Sequence, residues 1–177
     1  YGDHRDLHLS IRRQRQMCIR DSSDTHNNLK SVKRIVEIFN DARVERVIHT
    51  GDITQPKTLD AFSDLTMPLY GIFGNNDVEL VSLNESISKW GYNFFHPPMT
   101  DTWFDKKLIV VHDPRDLEEH DLDHFDLALH GHTHRYRLEK KNATTIFNPG
   151  ECAGHMVGYN AVGVIDLNGM TTELIKF

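Results

Sequence analysis

At 177 residues, with 38% apolar and 26% charged side chains, the chain has the length for one domain with a real core and the composition of a soluble globular protein. No apolar run approaches the length of a membrane span, and Arg12, Arg13 and Arg15 precede no long apolar stretch, so the N-terminus has no signal-peptide pattern. The net charge of -6 is unevenly spread: residues 1–20 hold five Arg and two Asp, leaving 15 Lys and Arg against 24 Asp and Glu, which argues against a broad nucleic-acid-binding face but leaves room for a small phosphate substrate.

Two cysteines, Cys18 and Cys152, exclude a disulfide scaffold and point to a reducing, cytoplasmic setting. Residues 1–22 look foreign to the rest. Residues 1–16 are polar and basic without helical or strand period, and residues 17–22, MCIRDS, are what a common sequencing-library adapter encodes when translated. A functional turn such as Ser23-Asp24-Thr25-His26 should follow a buried, near-continuous apolar strand. Arg20 and Asp21 there would be two buried charges, each costing several kcal/mol or so if unpaired. The expectation is therefore a non-native leader over 1–22 that replaces the first strand, and a single domain over 23–177.

From there the chain alternates. Asn27 and Asn28 can cap a helix in which Leu29, Val32, Val36 and Phe39 recur at helical spacing, ending near Asn40 and Asp41. A short strand over 44–49 runs into Thr50-Gly51-Asp52. Pro56 opens a helix through Leu59, Phe62 and Leu65. A strand over 69–73 ends in Gly74-Asn75-Asn76-Asp77. Leu80, Leu83, Ile87 and Trp90 mark another amphipathic helix, stopped by Gly91. Beyond Tyr92 the rhythm is mostly β. Residues 102–104 and 108–111 form a hairpin about Asp105-Lys106-Lys107, ending at His112. Residues 113–123 are a loop or short helix. An apolar run, Leu127-Ala128-Leu129, ends in the turn Gly131-His132-Thr133-His134. Residues 136–140 and 144–147 form a second hairpin, and residues 161–167 and 170–175 a third about Asn168-Gly169. The pattern predicts an α/β fold in one domain, two mixed β-sheets packed as a sandwich and flanked by helices, with ligands at the carboxyl ends of strands.

The strand-end groups are where the chemistry gathers. Imidazole is the commonest metal ligand near neutral pH, and His132 and His134 can enter one site from a tight turn. Taken singly, Asp24 reads as a helix cap, Asp52 and Asn75 as turn residues, and His49 and His130 as packed or supporting groups. His96, His120, His124 and His155 read as exposed or packed. Taken in order, Asp24-Thr25-His26, Gly51-Asp52, Gly74-Asn75-Asn76-Asp77, His112 and Gly131-His132-Thr133-His134 resemble the calcineurin-like metallophosphoesterase superfamily, whose pattern is D-x-H, G-D, G-N-H-[DE], H and G-H-x-H. The resemblance spans residues 23–177. Gly74-Asn75-Asn76-Asp77 and Asn148-Pro149-Gly150-Glu151-Cys152 look most like the small phosphodiesterases of the YfcE/MJ0936 type.

The resemblance implies a metal held by Asp24, His26, Asp52 and His134, and a second held by Asp52, Asn75, His112 and His132, with Asp52 bridging. It sets Asp52, Asn75 and His132 closest to the chemistry. Two divalent ions sharing a carboxylate can share a water, lower its pKa and deliver hydroxide to phosphorus. The mixed N/O donors suit Mn²⁺ first, with Ni²⁺, Fe or Zn²⁺ as alternatives. The implied activity is hydrolysis of a small or activated phosphodiester. A phosphomonoesterase and a protein-binding scaffold of the same fold are the alternatives, and filled ligand positions favour the enzyme. Asn148 is a candidate for orienting a site residue, and residues 92–95 for a homodimer face or core packing. Two departures stand out. Many relatives have His where this chain has Asn76, and an amide cannot protonate a leaving group. The family's usual His-Gly is here His112-Asp113.

Overall fold

The computed structural model describes residues 18–42 and 44–177. Strands β1 (Cys18–Ser22), β2 (Arg46–His49), β3 (Leu69–Ile72) and β4 (Asn93–Phe95) alternate with helices α1 (Leu29–Asp41), α2 (Pro56–Asp60) and α3 (Leu80–Trp90). Strands β5 (Met99–Trp103), β6 (Lys106–Val110), β7 (Leu127–Leu129), β8 (Arg137–Lys141), β9 (Thr144–Asn148), β10 (Ala161–Asp166) and β11 (Thr171–Lys176) follow, with short 3-10 segments at Pro114–Glu119 and Leu122–His124. One sheet has the order β11-β10-β1-β2-β3-β4 and the other β5-β6-β7-β9-β8. In the first, the parallel run β1-β2-β3-β4 has an antiparallel partner, β10, on one side; in the second, the parallel run β6-β7-β9 lies between antiparallel β5 and β8.

Period-2 alternation splits the apolar residues between layers. Ile19, Ile48, Ile72 and Ile165 of the first sheet meet Leu108, Val110, Leu127, Leu129 and Phe147 of the second, all buried. On the outer face of the first sheet, Val47, Leu69 and Val162 pack under Val32, Ile35, Val36 and Phe39 of α1. On the outer face of the second, Ile109, Ala128 and Ile146 pack under Leu117 and Leu122 of the 3-10 segments. Helix α1 begins where Asn28 accepts the Ser31 N–H at 3.1 Å. Helix α3 ends at Gly91, whose φ of 71° is the left-handed cap that glycine takes without penalty. No helix among the described residues is long and apolar enough to cross a membrane.

The first-strand position is occupied by residues 18–22 of the expected leader. Cys18–Ser22 lie at the centre of the six-stranded sheet, antiparallel to β10 and parallel to β2. Residues 1–17 of the expected leader lie outside the described residues. The two charges are buried as feared. Neighbouring strand residues point to opposite faces, so Arg20 and Asp21 cannot neutralise one another. Arg20 lies over Phe39 at 6.0 Å, while Asp21, opposite Gly163, faces the inter-sheet core and is 0% exposed. Neither Asp21 oxygen has a hydrogen-bond partner among the described residues. Burial pushes its pKa well above the usual carboxylate range, and Asp24 nearby adds to the shift.

Other departures are local. Helix α2 stops at Asp60, because Phe62, Ser63 and Leu65 donate to carbonyls three residues back and tighten the chain into turns. The β5-β6 hairpin turns on Phe104 and Asp105, both at positive φ (51° and 62°), which brings Trp103 opposite Lys106. The last hairpin carries four connecting residues, with Asp166 opposite Thr171. Tyr92 and Phe94 pack against the core, and Phe95 is 44% exposed.

Candidate metal centre

The parallel strands of both sheets end on one edge of the molecule, and five of their carboxyl-terminal turns build the site. Asp24 and His26 follow β1, Asp52 follows β2 and Asn75 follows β3; His112 follows β6 and His132 and His134 follow β7. Asp24, His26, Asp52, His132 and His134 all have positive φ, between 40° and 66°. Such backbone is costly for residues with a Cβ and clusters at functional sites. Gly51 (φ 103°) is required for a further reason: a Cβ there would stand 2.5 Å from His112 Nδ1.

All seven residues converge, in two groups. Asp24, His26 and His134 form one: His134 Nε2 is 3.5 Å and His26 Nε2 3.8 Å from Asp24 Oδ1, and the two Nε2 atoms are 3.3 Å apart. In the other, His112 Nε2 lies 3.4 Å from Asp52 Oδ1 and 2.9 Å from Asn75 Oδ1, and His132 Nδ1 lies 3.0 Å from the same Asn75 oxygen. Asp52 joins them, since its Oδ2 is 3.4 Å from His26 Nε2. The donor set fits divalent cations. His112 Nδ1 sits 2.8 Å from the Thr50 carbonyl, which can only accept, so Nδ1 carries the proton and a neutral His112 turns the Nε2 lone pair towards the oxygens of Asp52 and Asn75. Lone pairs so opposed are reconciled by a cation among them.

The electrostatics of the donors alone favour a protonated His112 beside an ionised Asp52, a proton that a bound cation would displace. Burial opposes the charge of Asp52, but hydrogen bonds from His112 and Asn76 outweigh it and hold the carboxyl far below its usual range. Burial likewise opposes charge on His112, yet Asp52 and the Thr50 carbonyl raise it to about 9. Burial raises Asp24 against the pull of Ser23 and His134. His26 is lowered by burial, against Asp52 and Asp24.

Several supporting residues escape a reading by residue type. Asp77, 4% exposed, accepts the backbone N–H groups of Asp52, Thr54 and Gly74 at 3.0, 2.5 and 2.6 Å, tying the β2 and β3 turns together. Glu151, 1% exposed, accepts from His134 Nδ1 at 2.8 Å. Burial works against its charge, but the His134 and Met156 hydrogen bonds keep its pKa lowered. His155 stacks on His134 with ring centroids 5.4 Å apart. Asn148 donates to the Gly131 carbonyl at 3.1 Å and to Thr133 Oγ1 at 3.2 Å, pinning the His-rich turn. His49 accepts the Gly51 N–H at 3.2 Å on Nδ1 and meets Thr25 Oγ1 at 3.1 Å through Nε2, so it supports the turns as a neutral ring. Asp113 is chelated by Arg115, which holds it down at about 2, and lies 3.6 Å from His132. The sequence singles out Asn148 and His49 as supporting groups, whereas Glu151 and Asp77 carry a signal only as members of the segments 148–152 and 74–77.

Comparison with known proteins names the arrangement. Residues 17–170 match the family model of the calcineurin-like phosphoesterase superfamily domain. The chain belongs to that superfamily. Phosphodiesterase MJ0936 of Methanocaldococcus jannaschii is 31% identical over 152 residues, covering 81% of this chain and 89% of the relative. Among solved structures, an archaeal phosphodiesterase superposes with a TM-score of 0.84 at 29% identity, covering 91% of this chain and all of the other. The E. coli phosphoesterase YfcE shares the fold, with a TM-score of 0.67 at 18% identity over 90% and 98% of the two chains. Vps29 of Chaetomium thermophilum does too, with a TM-score of 0.64 at 14% identity over 91% and 92%. Within this calcineurin-like fold, the chain is a phosphoesterase of the MJ0936 and YfcE kind.

Proposed function

We propose that the chain is a dinuclear metal-dependent phosphodiesterase acting on small or activated phosphodiesters. The observation that carries this reading is Asp52, whose two oxygens face different donor groups, Oδ1 towards His112 and Oδ2 towards His26, each at 3.4 Å. Asp24, His26 and His134 would hold one ion, Asn75, His112 and His132 the other, and Asp52 both. Two such ions, Mn²⁺ in our reading, would supply an activated water and positive charge for the phosphoryl oxygens.

The protein's own part is to hold the donors, orient the ester and leave the leaving group to solvent. Asn76 supplies no acid, because an amide does not ionise near neutrality and its side chain is committed to Asp52 at 2.7 Å. Two cavities adjoin the centre. One of about 550 Å³ is lined by Asn75, His112, His132, Phe73, His96 and Arg115. The other, of about 370 Å³, begins at His134 and is walled by Tyr136, Met156 and Tyr159. A diester presents two substituents to its surroundings, and a cavity on each side of the donor set supports a small diester over a monoester. Cys18 and Cys152 are free thiols, which supports the cytoplasm as the compartment.

The test is hydrolysis of a bis-aryl phosphate by chelator-treated protein, with and without Mn²⁺, beside Asp52→Asn. Turnover is expected only with metal and is lost in the variant. A folded protein that binds Mn²⁺, Ni²⁺, Fe²⁺ or Zn²⁺ without turnover would move the reading to a scaffold. Faster turnover of the aryl monoester would move it to a phosphomonoesterase.

A further inference from the structure

The His134–Glu151 pair lies outside the donor set yet controls one member of it. Glu151 sits on backbone fixed from both sides: the Cys152 N–H donates to the Ser23 carbonyl, beside Asp24, and the Ala161 N–H donates to the Glu151 carbonyl, each at 3.0 Å. Its carboxylate is fixed as well. Oε1 accepts the Met156 N–H at 3.0 Å, and Oε2 lies 2.8 Å from His134 Nδ1 and 3.3 Å from His155 Nδ1. A neutral imidazole has one N–H and one lone pair. With Nδ1–H given to a buried carboxylate, the lone pair is on Nε2. That atom faces Asp24 Oδ1 at 3.5 Å and His26 Nε2 at 3.3 Å, which is where the first donor group converges.

We propose that Glu151 is a positioning residue that sets the tautomer, ring orientation and basicity of His134 for binding a divalent cation. This rests on the dinuclear reading above. The physical basis is general: a carboxylate on the far nitrogen of a ligating imidazole fixes the ring and makes the near nitrogen a better donor. The role falls to Glu151 because no other carboxylate lies within 4 Å of His134 Nδ1 among the described residues.

His155 offers a rival arrangement. It shares Oε2 and stacks nearly parallel to His134 at 9°, so His134, Glu151 and His155 could themselves surround a cation. Against this, such a cation would compete for the Nδ1–H···Oε2 bond that holds His134 at 2.8 Å.

The experiment is a Mn²⁺ titration of the metal-free chain, reading stoichiometry and affinity by calorimetry and free Mn²⁺ by electron paramagnetic resonance. Glu151→Gln, Glu151→Ala and His155→Ala are compared, each with its metal-free urea midpoint measured as a folding control. The unaltered chain is expected to bind two ions. Glu151→Ala should bind one of them about 10- to 100-fold more weakly. Glu151→Gln, near-isosteric and still able to accept the Nδ1–H, should fall between, and it keeps the test decisive should the alanine variant fail to fold. His155→Ala should bind both ions as the unaltered chain does. Unchanged affinities in both Glu151 variants overturn the proposal, as does the loss of an ion in His155→Ala. An unaltered chain that binds no metal refutes the dinuclear reading itself, a different result from two intact sites in the variants.

Discussion

Asn76 donates to Asp52 twice, through its backbone N–H to Oδ1 at 2.9 Å and its side-chain amide to Oδ2 at 2.7 Å. The residue that many relatives use as a proton donor is here a clamp on the carboxylate that joins the two donor groups. Asn76→His should exchange half of that clamp for a general acid. The expected outcome is a larger gain for poor leaving groups than for good ones, because only the former need protonation. A series of aryl methyl phosphates measures it as a shallower dependence of kcat/KM on leaving-group pKa. An unchanged slope refutes the idea.

Asp77 holds three backbone donors and has no other visible purpose. Asp77→Ala would strand the N–H groups of Asp52, Thr54 and Gly74 in a buried turn. At about 1–3 kcal/mol for each unpaired buried donor, the loss should reach about 3 kcal/mol or more. Asp77→Asn keeps one accepting oxygen and should lose less. Urea denaturation of the metal-free chain measures both.

Arg20 and Asp21 make the opposite case. Each is buried in the central strand with no ion pair among the described residues, and strand geometry keeps them on separate faces. Asp21→Val and Arg20→Val should each raise stability, by about 1–4 kcal/mol if they follow other replacements of buried charge by apolar groups. A lower urea midpoint in both variants would contradict this. We propose that residues 1–22 are foreign sequence, and reading the source DNA across residue 22 tests it directly.

Acid should weaken the fold through histidines outside the donor set. Burial lowers His49 to about 3 and His130 to about 4, so both remain neutral in the folded chain. In the unfolded chain they take up protons below about pH 6.5. Their contribution to stability is therefore complete above about pH 6.5 and declines as pH falls towards 4 and then 3. In the presence of chelator, the urea midpoint should drop between about pH 7 and about pH 5, and His49→Gln should show a smaller drop. Equal drops would assign the effect elsewhere.

Much of this was legible because the site is written in residue types that mean little elsewhere in an ordinary turn. His132 and His134 one residue apart, Asp24 and His26 likewise, and Asn75 after a glycine stood out in order along the chain. What was not legible depended on three-dimensional context. Cys18–Ser22 does not look like a buried strand, and it forms one because β10 and β2 supply hydrogen-bonding edges on both sides. Phe104 carries no turn propensity, and its positive φ comes from closing a two-residue hairpin. Glu151 and Asp77 are lone carboxylates whose importance lies in what they accept, which no spacing rule encodes. His155 reads as a surface histidine and becomes a neighbour of the site only when the loop after Glu151 folds back.

The donors divide by sheet: both aspartates and Asn75 come from the first sheet, and all but one of the imidazoles come from the second. Ions held between them would act as rivets through the edge of the sandwich. Away from that edge the two layers meet largely through apolar side chains, whose non-directional contacts resist separation more than a small sliding of one layer over the other. A bound pair of cations would lock that sliding coordinate, and the same coordinate, set by the bulk of Ile48, Leu129 and Phe147 deep in the core, would in turn tune how far apart the cations sit.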